Sequence, residues 1–192
     1  MKIVALIGSP RLNGNSAYLA GRLLETARNL GAETKSFALN TLKYRGCQAC
    51  RACKKSSDVC VIKDDAAQLL EEVREADVVV FASPVYFADV SGQLKLFIDR
   101  TYSFLTPDFH SSPERSRLAP GKIAVFIQTQ GLADTMFADV PSRYEWVLKF
   151  IGFSEVRVIR GCGLAKQDDV LKREDLLRQA EELAATLFAQ RN

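Results

Sequence analysis

The strongest constraint on the fold lies at the amino terminus, where a short apolar run meets a polar loop and then a helical pattern. Residues 2–7 are β-branched or apolar on both alternating faces, which is typical of a central parallel strand covered on both sides. From residue 19 to residue 30, leucine and alanine recur at helical spacing, and Gly31 follows as a stop signal. Residues 8–16 therefore join a buried strand to the start of a helix.

The composition of this loop predicts an anion-binding site. A helix N-terminus presents unpaired N–H groups and the positive end of the macrodipole, and Gly14 lets the backbone approach a ligand closely. Arg11 adds a planar, permanently charged group suited to phosphate. The neutral hydrogen-bonding side chains of the loop are Ser9, Asn13, Asn15 and Ser16. The loop is neither a Walker A motif nor the Gly-x-Gly-x-x-Gly fingerprint, and an ordinary capped strand-to-helix turn is the alternative.

Apolar runs and helical patterns alternate along the chain, which predicts an α/β fold with a wound parallel sheet. The strand candidates are residues 2–7, 33–39, 78–82, 123–127 and 156–159, and the third should end at Ser83-Pro84. We predict a single flavodoxin-like domain over residues 1–192, a three-layer sandwich with a five-stranded parallel sheet of order 2-1-3-4-5 and a cysteine-rich insertion at about 45–62. Ligands bind beyond the carboxyl ends of such strands, so the loops at 9–16, 83–87 and 128–132 should converge.

The charge and hydropathy of the chain narrow the classes of partner. The formal net charge of +3 is spread along the sequence, without the basic blocks or aromatic-basic interleaving typical of nucleic-acid binding. No apolar run approaches the roughly 18 residues that span a bilayer. Met1 leads directly into a strand rather than a signal peptide. We therefore expect a cytoplasmic protein with no nucleic-acid and no membrane partner.

The loop after the third strand, Ser83-Pro84-Val85-Tyr86-Phe87, suits a flat ring. Proline stiffens the backbone, the two aromatic side chains offer flat apolar faces, and free N–H and C=O groups can bond the edge of a heterocycle. Packing of the aromatic residues in the core is the simpler alternative. A phosphate at one end of the cavity and a flat ring at the other predict FMN.

Three motifs together resemble the NAD(P)H-dependent FMN reductase family of flavodoxin-like proteins. They are Gly8-Ser-Pro-Arg-x-x-Gly-Asn-Ser16, Ser83-Pro-Val-Tyr-Phe87 and Ser91-Gly-Gln-Leu-Lys-x-Phe-Ile-Asp-Arg100, which cover about the first hundred residues. The resemblance implies an oxidoreductase in which FMN takes hydride from NAD(P)H and passes electrons to a small-molecule or protein acceptor. It implies no catalytic acid or base, because the cofactor carries the chemistry. It also implies a homodimer or homotetramer.

The same resemblance implies the residues of the flavin site. The phosphate would be held by Ser9, Arg11, Asn13, Asn15 and Ser16. The isoalloxazine and ribityl chain would be lined by Pro84, Val85, Tyr86 and Phe87. Thr129, Gln130 and Gly131 match the place of a third flavin loop, although no clear motif marks them.

A cluster of cysteines, Cys47-x2-Cys50-x2-Cys53-x6-Cys60, follows the second strand. Three thiolates at this spacing can wrap one face of an iron–sulfur cube, and the fourth can close the other side. The spacing resembles the compact motif of the iron–sulfur flavoproteins, a branch of the same family, which implies a [4Fe-4S] cluster that takes electrons from the flavin one at a time. A four-thiolate zinc site and free, redox-active thiols remain alternatives.

Two other functions stay open from the sequence. The protein could be a flavin electron-transfer carrier without NAD(P)H activity, or a zinc-containing protein that binds a phosphate ligand. The preference for NADH or NADPH and the identity of the acceptor are not fixed. Residues 106–120 could form a binding loop or a disordered surface loop, and Trp146 is predicted to pack inside. Asp99 and Arg100 are predicted to cap or brace the third helix.

Overall fold

A computed structural model describes residues 1–190 as a twisted sheet between two helical layers. The strands are β1 (Lys2–Ile7), β2 (Glu33–Ala38), β3 (Val78–Tyr86), β4 (Asp89–Val90), β5 (Ile123–Thr129) and β6 (Glu155–Gly161). Five of them are parallel in the order β2-β1-β3-β5-β6, and β4 pairs antiparallel with the end of β3. The predicted flavodoxin-like order is therefore confirmed, with one short side strand added.

The helices divide between the two faces of this sheet. They are α1 (Asn15–Asn29), α2 (Asp65–Glu75), α3 (Gly92–Arg100), α4 (Asp139–Ile151) and α5 (Glu174–Ala189). In β1, Ile3 and Ala5 pack with α1 and α5, whereas Val4 and Leu6 pack with the other three helices. This alternation follows from the two-residue period of a strand, and it buries both faces of the sheet. Over residues 1–190 no helix is both long and apolar enough to cross a membrane.

The end of β3 differs from the sequence prediction, because the strand continues through Ser83-Pro84 to Tyr86. Its pairing with β1 ends at Ala82, whereas its pairing with β5 extends to Pro84. Proline interrupts no ladder on the side where β1 has already ended, so the strand can pass through it. The chain then turns back into β4, which brings this end of β3 over the carboxyl edge of the sheet.

Two further expectations are corrected by packing. The disordered alternative for residues 106–120 is wrong, because Phe109 and Leu118 are buried and Leu105 bridges to Ser116. The prediction of a packed Trp146 is also wrong, since its side chain is 66% exposed. The buried face of α4 is formed by its other apolar residues, and an indole two positions after Tyr144 falls on the opposite side.

Candidate functional site

Four loops at the carboxyl edge of the sheet enclose a cavity of about 200 Å³, which we call the edge cavity. Three of these loops follow β1, β3 and β5, as the sequence predicted. The fourth follows β6 and was not predicted. The lining residues are Ser9, Arg11, Gly14, Asn15, Ser16, Pro84, Val85, Tyr86, Thr129, Gln130, Gly131, Leu164, Ala165, Lys166 and Gln167.

The loop after β1 is folded tightly around its own backbone. The Ser9 hydroxyl accepts from the Arg11 N–H at 3.1 Å and donates to the Arg11 carbonyl at 3.0 Å, and the Gly14 N–H donates to the same carbonyl at 3.1 Å. A Cβ at Gly14 would lie 2.9 Å from the Ser9 hydroxyl oxygen, so no larger residue fits without movement. Glycine therefore lets the loop close directly onto the start of α1.

The start of α1 carries the features of an anion site. Its N-cap, Gly14, has no side chain to bond the first N–H groups of the helix, which are left for another partner. The hydroxyl of Ser16 is buried and has no hydrogen-bond partner in the protein. A buried hydroxyl without a partner is unfavourable, and a phosphate oxygen at this helix end would satisfy it. Both the backbone and Ser16 therefore fit the phosphate of FMN.

The side chain of Asn15 has a different role from the predicted one. Its amide nitrogen donates to the carbonyls of Leu164 at 3.3 Å and Lys166 at 2.7 Å, and its oxygen accepts from the Val170 N–H at 3.0 Å. These bonds fasten the loop after β6 to the first turn of α1. The amide group is thereby occupied, and it is the backbone N–H of Asn15 that remains for an anion.

Two predicted residues are not brought into the edge cavity. Asn13 is exposed and lies outside the lining. Phe87 is fully exposed, because it occupies the first position of the two-residue turn between β3 and β4. Both turn residues have positive φ, 46° at Phe87 and 64° at Ala88, as in a type I′ hairpin. The hairpin therefore presents Tyr86 to the cavity and Phe87 to its outside.

The third and fourth loops are tied to each other. The Leu164 N–H donates to the Gln130 carbonyl at 2.9 Å, and the Gly163 N–H donates to the Leu132 carbonyl at 3.0 Å. Gly163 has a φ of 73°, which favours glycine. A signal for the fourth loop was present in the sequence, because the last parallel strand must also end at this edge, and it ends at Gly161 with Gly163 close behind.

The four clustered cysteines lie between β2 and α2, where the sequence places the insertion. All four line one cavity of about 20 Å³, which we call the cysteine cavity. Cys47 and Cys50 are exposed, Cys60 is half-buried and Cys53 is buried. Within residues 1–190 no three cysteine, histidine or acidic side chains converge as ligands of a single metal ion.

The arrangement of these sulfurs bears on what they could hold. An iron–sulfur cube spreads its four thiolates over four irons, so the sulfurs need not meet at one point as they must around zinc. A cavity of about 20 Å³ has room for about one water molecule, so the loop must open to admit a cube. Ala49 and Arg51 have φ of 52° and 59°, which strains the backbone between the first three cysteines. The four cysteines therefore fit a [4Fe-4S] cluster in number and kind of ligand, and the loop that carries them must move to admit the cluster.

Cationic side chains fasten the cysteine segment to the rest of the protein. Lys54 Nζ donates to the carbonyls of Tyr102 at 2.7 Å and Leu105 at 2.6 Å. Burial lowers the pKa of Lys54, with the Cys53 thiol acting in the opposite direction. Arg117 donates to the Cys53 carbonyl at 3.0 Å. The segment is therefore held by side chains rather than by strand pairing.

A larger cavity of about 570 Å³ lies between α3 and α4, and Cys47 lines both it and the cysteine cavity. At its rim, Asp89 accepts from the Tyr144 hydroxyl at 2.7 Å and from Arg143 at 3.3 Å. Burial works against the charge of Asp89, but these bonds and the backbone N–H of Val90 outweigh it and lower the pKa of its carboxyl.

Solved structures share this fold over almost the whole chain. An FMN-dependent NADH-azoreductase from Bacillus anthracis, determined with FMN, superposes with a TM-score of 0.75 at 15% identity and covers 98% of this chain and 100% of that one. An NAD(P)H:quinone oxidoreductase from Methanothermobacter marburgensis also gives 0.75, at 19% identity, over 96% of this chain and 97% of that one. At this identity the likeness establishes the flavodoxin-like fold.

Sequence comparison adds the family. An iron–sulfur flavoprotein of Methanosarcina thermophila is 39% identical over 101 residues, which are 53% of this chain and 52% of that protein, so the match spans about half of each. A Bacillus subtilis protein named as a putative NAD(P)H-dependent FMN-containing oxidoreductase is 25% identical over 95% of this chain and 96% of its own. The family model described as NADPH-dependent FMN reductase matches residues 1–142. Because that match covers most of the chain, the protein belongs to the NADPH-dependent FMN reductase family.

Proposed function

We propose that this protein is an FMN-dependent oxidoreductase that takes hydride from NAD(P)H and passes the electrons to an acceptor. The observation that carries the proposal is the buried, unpartnered hydroxyl of Ser16 at the uncapped start of α1, inside the edge cavity. Membership of the FMN reductase family supports the same reading.

Each wall of the edge cavity has a role in this proposal. Ser16 and the first N–H groups of α1 would bind the phosphate, and Arg11 and Lys166 would add positive charge at the rim. Ser9 holds the loop closed through its two hydrogen bonds with the Arg11 backbone. Pro84, Val85 and Tyr86 lie against the isoalloxazine, and residues 129–131 close the opposite side. When bound, FMN supplies the chemistry of hydride acceptance. The protein positions the ring and excludes water, so no side chain needs to act as general acid or base.

We further propose that Cys47, Cys50, Cys53 and Cys60 hold a [4Fe-4S] cluster. Their shared cavity supports this assignment, as does the name of the Methanosarcina relative. When bound, a cluster supplies one-electron transfer toward a small-molecule or protein acceptor. Because the residues Cys47 and Cys50 are exposed, such an acceptor would bind at the surface of the cysteine segment.

The test is an absorption spectrum with iron and sulfide analysis on protein purified without oxygen, followed by steady-state oxidation of NADH and NADPH with ferricyanide. We expect flavin bands, a broad shoulder near 400 nm and about four irons per chain, as a cubane requires. Flavin without NAD(P)H oxidation would favour a carrier. Stoichiometric zinc in a colourless protein would favour a phosphate-binding zinc protein, and absence of flavin would refute the proposal.

Exposed aromatic side chains and the cysteines bear on the assembly and the location of the protein. Phe87 is fully exposed beside the edge cavity, and Trp146 stacks on Phe150 at the surface of α4 with a ring separation of 5.2 Å. Exposed aromatic residues of this kind support a homodimer or homotetramer. Light scattering at micromolar concentration tests this, and a monomeric mass would contradict it. Cysteines that hold a cluster must not be oxidised to disulfides, which suits the reducing cytoplasm, where we place the protein.

A further inference from the structure

Arg100 is the most deeply buried charged residue of the cysteine site. It is the last residue of α3, and 1% of its surface is exposed. A guanidinium group carries five N–H donors in a fixed plane, so it is stable in the interior only where acceptors surround it. Here every acceptor that the structure gives it comes from the cysteine segment and its flanks.

The guanidinium joins the two ends of that segment. Nη1 donates to the Arg45 carbonyl at 2.9 Å, before the first cysteine, and to the Asp64 carboxylate at 2.8 and 3.1 Å, after the last one. Nη2 donates to the Ile62 carbonyl at 3.1 Å. One side chain of the core therefore closes the base of the loop that carries all four thiols.

The remaining donor reaches a sulfur. Arg100 Nε donates to Cys60 Sγ at 3.1 Å. A hydrogen bond from a charged donor stabilises negative charge on the acceptor, and the effect is strong where water is excluded.

Arg117 offers a matched comparison. It is half-buried and also fastens the cysteine segment, through the Cys53 carbonyl at 3.0 Å. Its other donors reach the carbonyls of Ser103 and Leu105, each at 2.8 Å, so all three of its acceptors are backbone carbonyls. Both arginines hold the loop, whereas only Arg100 bonds a thiol sulfur. Comparison of variants at the two arginines can therefore distinguish loss of loop attachment from loss of the electrostatic effect on the Cys60 sulfur.

We infer that Arg100 is a positioning residue of the cysteine site, which fixes the sulfur of Cys60 and stabilises added negative charge on whatever metal group the four thiolates hold. The inference rests on the proposed metal-binding function of these cysteines. Reduction of an iron–sulfur cluster adds one electron and one negative charge, so the guanidinium favours the reduced form and raises the reduction potential.

The experiment compares wild-type protein with Arg100→Met, Arg100→Lys and Arg117→Met after anaerobic reconstitution with iron and sulfide. Spectroelectrochemical titration measures the midpoint potential of the cluster. We expect Arg100→Met to lower the equilibrium constant for reduction of the cluster about tenfold, which is a decrease of about 59 mV in its midpoint potential for one electron. Arg100→Lys should lose less, because it keeps the charge without the planar fork. Arg117→Met should stay close to wild type.

A second readout needs no cluster. Co²⁺ is titrated into the metal-free variants, and its thiolate charge-transfer absorption gives the affinity. The loop must first bring the thiols together around the ion, because within residues 1–190 they do not converge while the segment is closed. Arg100→Met should then bind Co²⁺ about tenfold more weakly than wild type and than Arg117→Met, since displacement of Cys60 removes one ligand. Equal values in all variants, or equal losses at Arg100 and Arg117, would overturn the inference.

The outcomes separate the two proposals. FMN content, which depends on a cavity that neither arginine lines, checks that each variant folds. Wild-type protein without FMN or NAD(P)H oxidation would refute the flavin function, while the Co²⁺ titration still decides the role of Arg100. Wild-type protein that takes up neither iron–sulfur cluster nor Co²⁺ would overturn both the metal proposal and this inference.

Discussion

The edge cavity and the cysteine cavity are built in opposite ways. The loops of the edge cavity leave the ends of parallel strands and are tied by backbone bonds, such as Gly8 N–H to the Ala82 carbonyl at 2.8 Å. The cysteine segment belongs to no strand. It is fastened by its own Lys54, which bonds the Tyr102 and Leu105 carbonyls, and by Arg100 and Arg117 from other parts of the chain. Sheet topology therefore forms one site, whereas long cationic side chains hold the other.

The two cavities also differ in how complete they are. The edge cavity has about 200 Å³ of space and one buried hydroxyl without a partner, so a phosphate group can bind at the start of α1 without rearrangement. The cysteine cavity has about 20 Å³ and two strained residues, Ala49 and Arg51. A site of this second kind is completed by its ligand, and its stability without the ligand depends on a few charged contacts.

The largest expected effect is at Asp64. Asp64→Asn leaves the buried Arg100 cation without its carboxylate, and breaking a buried pair in this way costs about 3 kcal/mol of unfolding free energy. Urea denaturation of the metal-free protein measures the loss. Glu181→Gln is the control, because its ion pair with Arg22 is exposed on both sides and should contribute little. Equal effects of the two variants would show that Arg100 is not held by this pair.

Replacement of Ser16 by alanine should have opposite effects on the stability of the flavin-free protein and on its affinity for FMN. Ser16→Ala removes a buried hydroxyl that has no partner, so the flavin-free protein should be as stable as wild type or slightly more stable. The same variant should bind FMN at least tenfold more weakly, since a hydrogen bond to a charged phosphate contributes about 1.5 kcal/mol or more. Calorimetry and fluorescence titration measure the two effects.

Asn13→Ala serves as the control for that comparison. Asn13 is in the same loop but exposed and outside the lining, so its replacement should leave FMN affinity unchanged. A loss of affinity at Asn13 equal to that at Ser16 would mean that the loop closes further around the ligand.

The contrast between the cavities also explains what the sequence could predict. Apolar runs such as residues 78–82 indicate buried strands, and the order of parallel strands then brings their loops together without knowledge of any side chain. The side-chain partners were out of reach. Asn15 bonds Lys166, which is 151 positions away, and Arg100 bonds Asp64, which is 36 positions away. No local pattern encodes such pairs.

Phe87 shows a third reason for failure. Its flat aromatic ring suited a wall of the flavin site, but the two-residue turn after β3 reverses the chain at this position and directs the side chain away. Turn type depends on the strands that it joins, and β4 is only two residues long. A strand this short leaves too few residues for a periodic signal, so the hairpin was missed.

Acid should destabilise the cysteine segment before it destabilises the loops of the edge cavity. The pKa of Asp64 is lowered in the folded protein, where burial opposes ionisation but bonds from Arg100 and the Arg45 backbone outweigh it. Its contribution to stability is thus present above the unfolded pKa of about 3.9 and is lost as the pH falls through the lower folded pKa. The lining of the edge cavity contains no carboxylate side chain.

We therefore expect the hydrogen-exchange protection of the cysteine segment, after correction for the slower intrinsic exchange in acid, to fall below about pH 4, before protection in the loops of the edge cavity does. Mass spectrometry of peptides from both regions at a series of pH values measures the order. Simultaneous loss of protection in both regions would mean that Asp64 stabilises the whole domain rather than the cysteine segment.

The smallest effect tests whether the cysteine segment unfolds together with the sheet. Ala49 in the segment and Ala88 in the hairpin are both exposed residues with positive φ, at 52° and 64°. The left-handed conformation costs alanine about 1 to 2 kcal/mol, and glycine removes this strain. The greater flexibility of glycine in the unfolded chain offsets about 0.5 to 1 kcal/mol of that gain in stability. Replacement of either alanine by glycine should therefore stabilise the metal-free protein by about 0.5 to 1 kcal/mol.

Equal gains are the expected result, because the buried Arg100 joins the segment to a core helix and should make it part of the same cooperative unit. Denaturant midpoints of Ala49→Gly, Ala88→Gly and the double variant measure this, and the double variant should show the sum of the single effects. A gain at Ala88 alone would mean that the cysteine segment opens before the sheet does. The hydrogen bonds of Arg100 would then position the thiols only while the cysteine segment is closed, and ligand binding would have to supply the free energy of closing it.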